Sequence, residues 1–440
     1  HARSGQPDWQ QFDRLIAEWR PGRLIVGLPY NADGSESSMT DRVREFIAQL
    51  DQRYQLPVDT VDERLTSVEA GLILRDQRQQ GLRKRRTRKE DVDRMAARLI
   101  AESWLRGTGT QENDDQNMQA DPPRCEQLSS TGKLHHLLTL DGLPRPLIIE
   151  LLDRAESYLR AAGEPPARDH ILAGRTVANL FFEPSTRTRA SFELAAKRMS
   201  ADVLNLDVNM SSRKKGESIL DTIYTLQAMQ VDIFVIRDAS EGVPALIASK
   251  VQPHVSVLNA GEASTSHPTQ GLLDLLTIRQ HKLHFEGLSV AIVGDIAHSR
   301  VARSVSEGLR IMGTRDLRLI APPGLEPEPA VYPGAMITND LDQGLAGADV
   351  VMALRIQRER MQEDLLSLEA YQEQYGLTYS RLARAKPDVI VMHPGPMNRG
   401  VEIMGDVADG PHSVINQQVT NGLAVRMALL ASVLESRLEL

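Results

Sequence analysis

The sequence has little cysteine, no long apolar run and no excess of basic residues, and each shortage excludes a class of protein. Cys125 is the one cysteine, so an intramolecular disulfide framework and a cysteine-rich zinc site are excluded within this chain. No apolar run approaches the roughly 20 residues that span a bilayer, and no signal-peptide pattern opens the sequence. The net charge of -8 argues against a nucleic-acid-binding protein as a whole. Together these shortages predict a cytoplasmic protein.

What the sequence does contain is an ordinary globular composition over 440 residues, of which 41% are hydrophobic and 25% are charged. That length predicts two or three domains. The first residue is His1 rather than methionine, so we expect the N-terminus to be truncated or processed.

One stretch in the middle of the chain combines a buried strand, a turn and a helix start. Residues 177–182 (VANLFF) are almost all apolar, Glu183 and Pro184 end the strand, and residues 185–189 (STRTR) lead into a helical pattern. A helix N-terminus has unpaired N–H groups and a partial positive charge, so two arginines and three hydroxyls there predict a phosphate site. The alternative is that Ser185 or Thr186 only caps the helix while the arginines face solvent.

Polar residues also end two later apolar strands. Arg237 ends one predicted strand, Asn259 ends the next, and residues 267–270 (HPTQ) begin the helix after it. The positive end of a helix keeps an imidazole neutral, so His267 is suited to donate a hydrogen bond to a developing oxyanion. A structural histidine is the alternative.

The same arrangement returns in the last third of the chain. Arg300 begins a helix after a strand, Arg355 and Gln357 follow another strand, and residues 393–396 (HPGP) follow the last one. The G-x-G-x-x-G spacing of a nucleotide-binding turn is missing near Gly294. Strands that alternate with helices predict parallel sheets, and the carboxyl ends of parallel strands meet at one edge. We therefore expect these polar residues to converge.

From about residue 134 to residue 440 the chain resembles the aspartate and ornithine carbamoyltransferases, through the FFEPSTRTR, HPTQ and HPGP motifs. The resemblance implies an α/β fold with two parallel-sheet domains. These are a carbamoyl-phosphate-binding domain at residues 134–270, completed by the C-terminal helix 417–440, and an aspartate-binding domain at residues 271–416. It also implies no metal or organic cofactor, and a homotrimer that in the family is often completed by a regulatory or dihydroorotase-like chain.

The resemblance further assigns roles to individual residues. Those implied to bind carbamoyl phosphate are Ser185, Thr186, Arg187, Thr188, Ser211, Arg237, His267, Gln270, Gly395 and Pro396. The implied catalytic residues are Arg187, Thr188, Arg237 and His267. Those implied to bind aspartate are Lys215, Arg300, Arg355 and Gln357. Ser211 and Lys215 lie on a loop that in the family reaches into the active site of the adjacent subunit.

The second substrate distinguishes the two branches of the family. Aspartate carries two carboxylates, which planar, bidentate guanidinium groups bind well, and Arg300 and Arg355 supply such groups. The ornithine enzymes place a cysteine in the last motif, which reads HPGP in this chain. We therefore predict transfer of the carbamoyl group to L-aspartate, a step of de novo pyrimidine biosynthesis. The alternative is a carbamoyltransferase for another amino acid or amine, such as ornithine.

Residues 1–107 are similar to the Holliday-junction-resolvase-like family, also proposed as pre-ribosomal-RNA nucleases, through IVGLPYNADGS, VDERLTSVEA and the VDRMAA helix. This implies an RNase H-like α/β domain in which Asp62, Glu63 and Asp93 approach a Mg²⁺ site. The family's first strand, which carries an Asp-x-Gly motif, is missing, so we expect an incomplete domain without nuclease activity. The basic run at residues 83–89 (RKRRTRK) predicts a solvated loop. The alternative is a nucleic-acid-binding protein with an inactive transferase half.

A polar segment joins the two parts. Residues 108–133 contain little that a core would bury and include the pair Pro122 and Pro123, which predicts a disordered linker. Met118 lies within this segment, so two neighbouring reading frames joined as one are an alternative to a genuine fusion.

Overall fold

A computed structural model describes residues 7–19, 21–29, 38–63, 70–71, 74–75, 88–107, 127–206, 219–356 and 367–436. The described chain forms two compact units, one up to residue 107 and the other from residue 127 onward. Four predicted features lie outside the described residues, namely Ser211, Lys215, Gln357 and most of the basic run at 83–89.

In the part of the chain that the structure describes, the first unit contains a pair of parallel strands and several helices. Their bounds are α1 Trp9–Trp19, β1 Leu24–Leu28, α2 Ser38–Tyr54, β2 Val58–Asp62 and α3 Lys89–Gly107. The rings of Trp9, Phe12 and Phe46 lie within 6 Å of one another and join the first two helices. This confirms an α/β arrangement for the N-terminal part.

The second unit begins with a four-stranded sheet whose strand order is β4-β3-β5-β6. Every neighbouring pair in it is parallel. The strands are β3 Thr176–Phe181, β4 Asp202–Leu206, β5 Ile233–Asp238 and β6 Ser256–Glu262. The central strand β5 is buried along its whole length, as expected for a parallel strand that is covered on both faces. The predicted strand at residues 177–182 is confirmed as β3, one residue earlier.

A second parallel sheet of five strands follows, in the order β11-β10-β7-β8-β9. Its strands are β7 Ser289–Val293, β8 Asp316–Ile320, β9 Met336–Thr338, β10 Val350–Ala353 and β11 Ile390–Met392. The predicted fold class, two parallel-sheet α/β layers, is therefore confirmed. The three-residue edge strand β9 was not predicted, because it is too short to produce a periodic pattern.

Helices cover the sheets and connect them. Their bounds are α4 Arg145–Ser157, α5 Thr186–Arg198, α6 Ile219–Ala228, α7 Val243–Ala248, α8 Pro268–Lys282, α9 Arg300–Met312, α10 Leu341–Leu345, α11 Leu368–Tyr375, α12 Tyr379–Leu382, α13 Gly405–Ala408 and α14 Ile415–Glu435, with a 3₁₀ turn at Pro329–Val331. The buried helix α8 leads from the first sheet to the second. The C-terminal helix α14 packs against α4, α5 and α8. Among the described helices, none has both the length and the apolar character needed to cross a membrane.

The end of the predicted linker overlaps an ordered turn. Residues 127–133 form a hydrogen-bonded turn with a bridge between Leu128 and Leu134. The Gln127 carboxamide oxygen accepts the backbone N–H groups of Leu138 and Thr139 at 2.6 and 3.0 Å. These hydrogen bonds attach the turn to the second unit, whereas residues 108–126 lie outside the described part of the chain.

Candidate active site

The carboxyl ends of strands from both sheets of the second unit meet at a cavity of about 640 Å³. Each segment that lines it either ends a strand or follows one directly, as parallel α/β sheets arrange their ligand groups. Eleven of the residues predicted for the site line this cavity: Ser185, Thr186, Arg187, Thr188, Arg237, His267, Gln270, Arg300, Arg355, Gly395 and Pro396. The remaining three predicted residues, Ser211, Lys215 and Gln357, lie outside the described residues.

Arg187 reaches into the cavity from the first turn of α5, past the backbone of Gly395. A Cβ atom placed on Gly395 would overlap the Arg187 Nη1, and Gly395 also has a left-handed φ of 62°. Both the space and the backbone conformation therefore favour glycine at this position. Partial burial lowers the pKa of Arg187, although a guanidinium remains charged throughout the ordinary pH range.

Glu183 is a site residue that the sequence analysis missed. Its Oε2 forms ion pairs with the Nη2 of Arg237 at 3.1 Å and with the Nη2 of Arg300 at 2.9 Å, and its Oε1 accepts a hydrogen bond from the Arg300 Nη2 at 3.1 Å. One carboxylate thus holds an arginine from the end of β5 beside an arginine from the start of α9. In the sequence, Glu183 follows a buried strand and begins an arginine-rich turn, and this position is the signal that could have identified it.

Close backbone packing brings the same two arginines together. Arg237 donates from Nη1 to the carbonyl oxygen of Ala260 at 3.1 Å. A Cβ atom on Gly261 would lie 2.8 Å from the Arg237 Nη1 and 3.4 Å from the Arg300 guanidinium. The strand β6 runs on to Glu262, so Asn259 lies inside it rather than at its end. The Asn259 amide is hydrogen-bonded to the Leu138 carbonyl at 2.8 Å and is not among the lining residues.

His267 caps the N-terminus of α8 and is buried. Burial lowers its pKa well below the usual range, and the positive charges of three neighbouring arginines lower it further. The imidazole is therefore neutral, as the sequence predicted. The main physical cause is loss of solvent rather than the positive end of the helix.

A second histidine shapes the loop that carries Gly395. The N–H of Gly395 donates to the His393 Nδ1 at 2.7 Å, so the ring proton belongs on Nε2, which lies 3.2 Å from the Glu402 Oε1. Both side chains are buried. Glu402 also accepts the backbone N–H of Asn398. His393 and Glu402 therefore hold the backbone at Gly395 and at Asn398, the two ends of the turn beside the cavity.

Behind Arg187 lies another arginine, Arg426 of the C-terminal helix. It is buried, donates to the Gly422 carbonyl at 2.7 Å and packs over the Phe192 ring at 5.1 Å. Burial lowers the pKa of Arg426 to about 10, and the charge of Arg187 contributes to the shift. Two guanidinium groups near each other strengthen the positive potential on one side of the cavity.

The geometry of the cavity defines what it can do chemically. Among the described lining residues, the charged groups are four arginines and Glu183, and that carboxylate is bonded to two of the arginines. Such a lining binds anions. A neutral imidazole and hydroxyl groups in the same space can donate hydrogen bonds to a carbonyl oxygen as it gains charge.

In the N-terminal unit, the carboxylates predicted for a Mg²⁺ site form a much smaller group than the residues that line the cavity of the second unit. Glu63 follows β2, and its pKa is raised by burial and by the nearby charge of Asp93. Asp93 lies on α3, so two of the three predicted carboxylates, Glu63 and Asp93, lie close enough to interact. Among the residues that the structure describes, no group of three or more potential ligands surrounds a metal-sized space.

Three family models match successive parts of the chain. A model described as the aspartate/ornithine carbamoyltransferase carbamoyl-P binding domain matches residues 135–280, and its Asp/Orn binding domain matches residues 286–433. A Holliday junction resolvase model matches residues 1–107.

Solved structures of both transferase branches are similar to this chain. Aspartate transcarbamoylase from Trypanosoma cruzi in complex with N-(phosphonacetyl)-L-aspartic acid is 31% identical with a TM-score of 0.62, over 70% of this chain and 98% of that one. The same enzyme in complex with carbamoyl phosphate and aspartate is 30% identical with a TM-score of 0.61, over the same shares. Ornithine carbamoyltransferase from Thermus thermophilus is 27% identical with a TM-score of 0.61, over 68% of this chain and 99% of that one.

Proposed function

Because this chain belongs to the aspartate/ornithine carbamoyltransferase family, we propose that it transfers the carbamoyl group of carbamoyl phosphate to the amine of L-aspartate. The products are N-carbamoyl-L-aspartate and phosphate, as in de novo pyrimidine biosynthesis in the cytoplasm. The similar solved structures of aspartate transcarbamoylase, which are 31% and 30% identical to this chain, support the choice of aspartate as the acceptor.

The charge balance of the cavity carries the choice of aspartate. Ornithine would bring an ammonium group, which needs a carboxylate or another electron-rich partner. The described lining offers Glu183 alone for this purpose, and Glu183 is already bonded to Arg237 and Arg300. Aspartate brings a second carboxylate instead, which Arg300 and Arg355 suit as planar, bidentate donors.

In this mechanism the phosphate of carbamoyl phosphate binds at the N-terminus of α5, among Ser185, Thr186, Arg187 and Thr188. The α-amine of aspartate attacks the carbonyl carbon. The new C–N bond forms as the C–O bond to phosphate breaks, and the departing phosphate takes the amine proton. Thr188, Arg237 and His267 donate to the carbonyl oxygen while it carries negative charge, each worth about 3 kcal/mol. Gln270 and the backbone of residues 394–396 hold the carbamoyl nitrogen.

We further propose that the enzyme is a homotrimer in which Ser211 and Lys215 of one chain complete the site of the next. The Arg187→Ala and Lys215→Ala variants would each be nearly inactive. Random mixing of equal amounts of their dissociated chains would restore about a quarter of the native activity, because about three quarters of the trimers are mixed and each mixed trimer contains one intact site out of three. No recovery in trimers of proven mixed composition would contradict shared sites.

One assay tests the proposed reaction. Purified protein is given carbamoyl phosphate with aspartate, ornithine, putrescine or N-acetylornithine, and each carbamoylated product is measured. We expect turnover with aspartate to exceed turnover with each of the other amines by at least about a hundredfold, because the site pairs guanidinium groups with two carboxylates. Preferred use of any of the other three amines would overturn the assignment.

A further inference from the structure

Asp274 is a buried carboxylate that the mechanism above does not use. It lies on α8, one helical turn after Gln270, and its side chain has no exposure to solvent. Burial raises the pKa of Asp274 to about 7, and hydrogen bonds from two glutamines oppose that rise. Burying a carboxylate costs stability, even when hydrogen bonds reduce that cost. We therefore asked what the contacts of Asp274 do for the neighbouring cavity.

Both glutamines donate to the same oxygen atom. The Gln270 Nε2 lies 3.0 Å from the Asp274 Oδ1, and the Gln418 Nε2 lies 2.8 Å from it. An ionised carboxylate can only accept hydrogen bonds, so the NH₂ end of the Gln270 amide must face Asp274. The Oε1 end, a pure acceptor, is then the end that remains for the cavity.

The second glutamine extends this control to the neighbouring loop. The Gln418 Oε1 accepts the backbone N–H of His393 at 2.9 Å. His393 in turn accepts the N–H of Gly395. The Asp274 carboxylate on α8 therefore orients the Gln270 amide in the cavity. Through Gln418 on α14, it is also linked to His393, the first residue of the loop beside the cavity.

We propose that Asp274 is a positioning residue: by holding the Gln270 amide with its oxygen toward the cavity, it makes the site accept an NH₂ group and so select carbamoyl phosphate over acyl phosphates of the same shape. This inference rests on the proposed function. A methyl group in place of the NH₂ group has no hydrogen to donate, so the oriented Gln270 Oε1 would be left without its partner.

Acetyl phosphate is the probe, since it replaces the NH₂ group by a methyl group. The readout is the ratio of the acetyl phosphate inhibition constant to the carbamoyl phosphate Kd, measured at pH 8.5, where Asp274 is ionised in the native protein. In Asp274→Leu the orientation of Gln270 is no longer imposed. We expect the ratio to fall about tenfold, through weaker carbamoyl phosphate binding with acetyl phosphate binding unchanged.

Two further variants separate orientation from structure. Thr277→Val removes another buried hydrogen bond between the same helices, the 2.9 Å bond from Asn421, without touching Gln270, so the ratio should stay at the native value. Asp274→Asn keeps an oxygen at the position of Oδ1, where it still accepts from both glutamines, while its NH₂ group replaces Oδ2. The orientation of Gln270 is therefore kept, and the ratio should remain within about threefold of native.

The outcomes are distinct. An unchanged ratio in Asp274→Leu, or an equal fall in Thr277→Val, overturns the inference. If Asp274→Leu does not fold, a tenfold fall of the ratio in folded Asp274→Asn overturns the inference instead, because that variant keeps the acceptor that orients Gln270. Failure of the native protein to carbamoylate aspartate refutes the proposed function and is seen before any variant is compared.

Discussion

The Nη1 of Arg187 lies in the space that a side chain at Gly395 would need. The two residues are far apart in the sequence, one at the start of α5 and the other after β11. Their contact brings a cation of the first sheet against the last loop of the second. Arg187 can therefore reach the cavity only while residue 395 has no Cβ atom.

We expect Gly395→Ala to displace Arg187 and to lower kcat/KM by about a hundredfold, as an ångström-scale misplacement in an active site does. The matched control is Gly400→Ala, where φ is 81° and no atom lies within 4 Å of the added Cβ. Both variants strain the backbone, by about 1 kcal/mol, but only the first meets Arg187. Steady-state kinetics on both proteins measures the difference, and equal activities would refute the steric account.

Replacing Arg187 itself tests the phosphate site. We expect Arg187→Ala to lose turnover while its thermal unfolding stays near native, because the loss removes phosphate neutralisation rather than core packing. Arg189→Ala is the control, since Arg189 lies outside the main cavity and should leave most of the turnover intact. A fully active Arg187→Ala protein would contradict the assignment of the anion site.

Glu183→Gln tests the bridge between Arg237 and Arg300. Loss of the negative charge removes the ion pairs with both arginines, so we expect kcat/KM for aspartate to fall at least about tenfold. Glu193→Gln is the control, because Glu193 pairs on the surface with Lys197 at 2.6 Å. If both variants behave like the native enzyme, Glu183 does not position the two arginines.

His267→Ala tests the oxyanion contribution. The neutral imidazole donates only to the charged transition state, so we expect kcat to fall about a hundredfold with little change in the KM for carbamoyl phosphate. An effect confined to KM would show that His267 binds substrate in the ground state instead.

Glu262 predicts a pH effect on stability. Burial raises its pKa from 4.5 in the reference state to about 8 in the folded protein. Between these values the unfolded chain releases a proton that the folded chain retains, so stability falls as pH rises, by up to about 1.4 kcal/mol per pH unit. Glu262→Gln removes this contribution. Its Tm advantage over the native protein should therefore grow from pH 5 to pH 8, and parallel Tm curves in calorimetry would refute the prediction.

Several features could be predicted from local sequence because their cause is local. The alternation of apolar strands and helical patterns determined the parallel sheets, and the turn at residues 185–189 determined that hydroxyl groups and arginines lie at a helix N-terminus. Arg237, Arg300 and Arg355 could be expected at one cavity, since the carboxyl ends of parallel strands lie at one edge. The short strand β9 and the extension of β6 past Asn259 carried no such pattern.

The features that only the tertiary structure determined depend on contacts between distant segments. No local pattern states that Glu183 pairs with Arg237 and Arg300, that Gly395 makes room for Arg187, or that Gln418 of the last helix shares the Asp274 carboxylate with Gln270. Burial depth is likewise a property of the packed chain, which is why desolvation rather than the helix end dominates the pKa of His267. The sequence determined which chemical groups are available and along which edge they lie, and long-range packing determined which of them touch and in which protonation state.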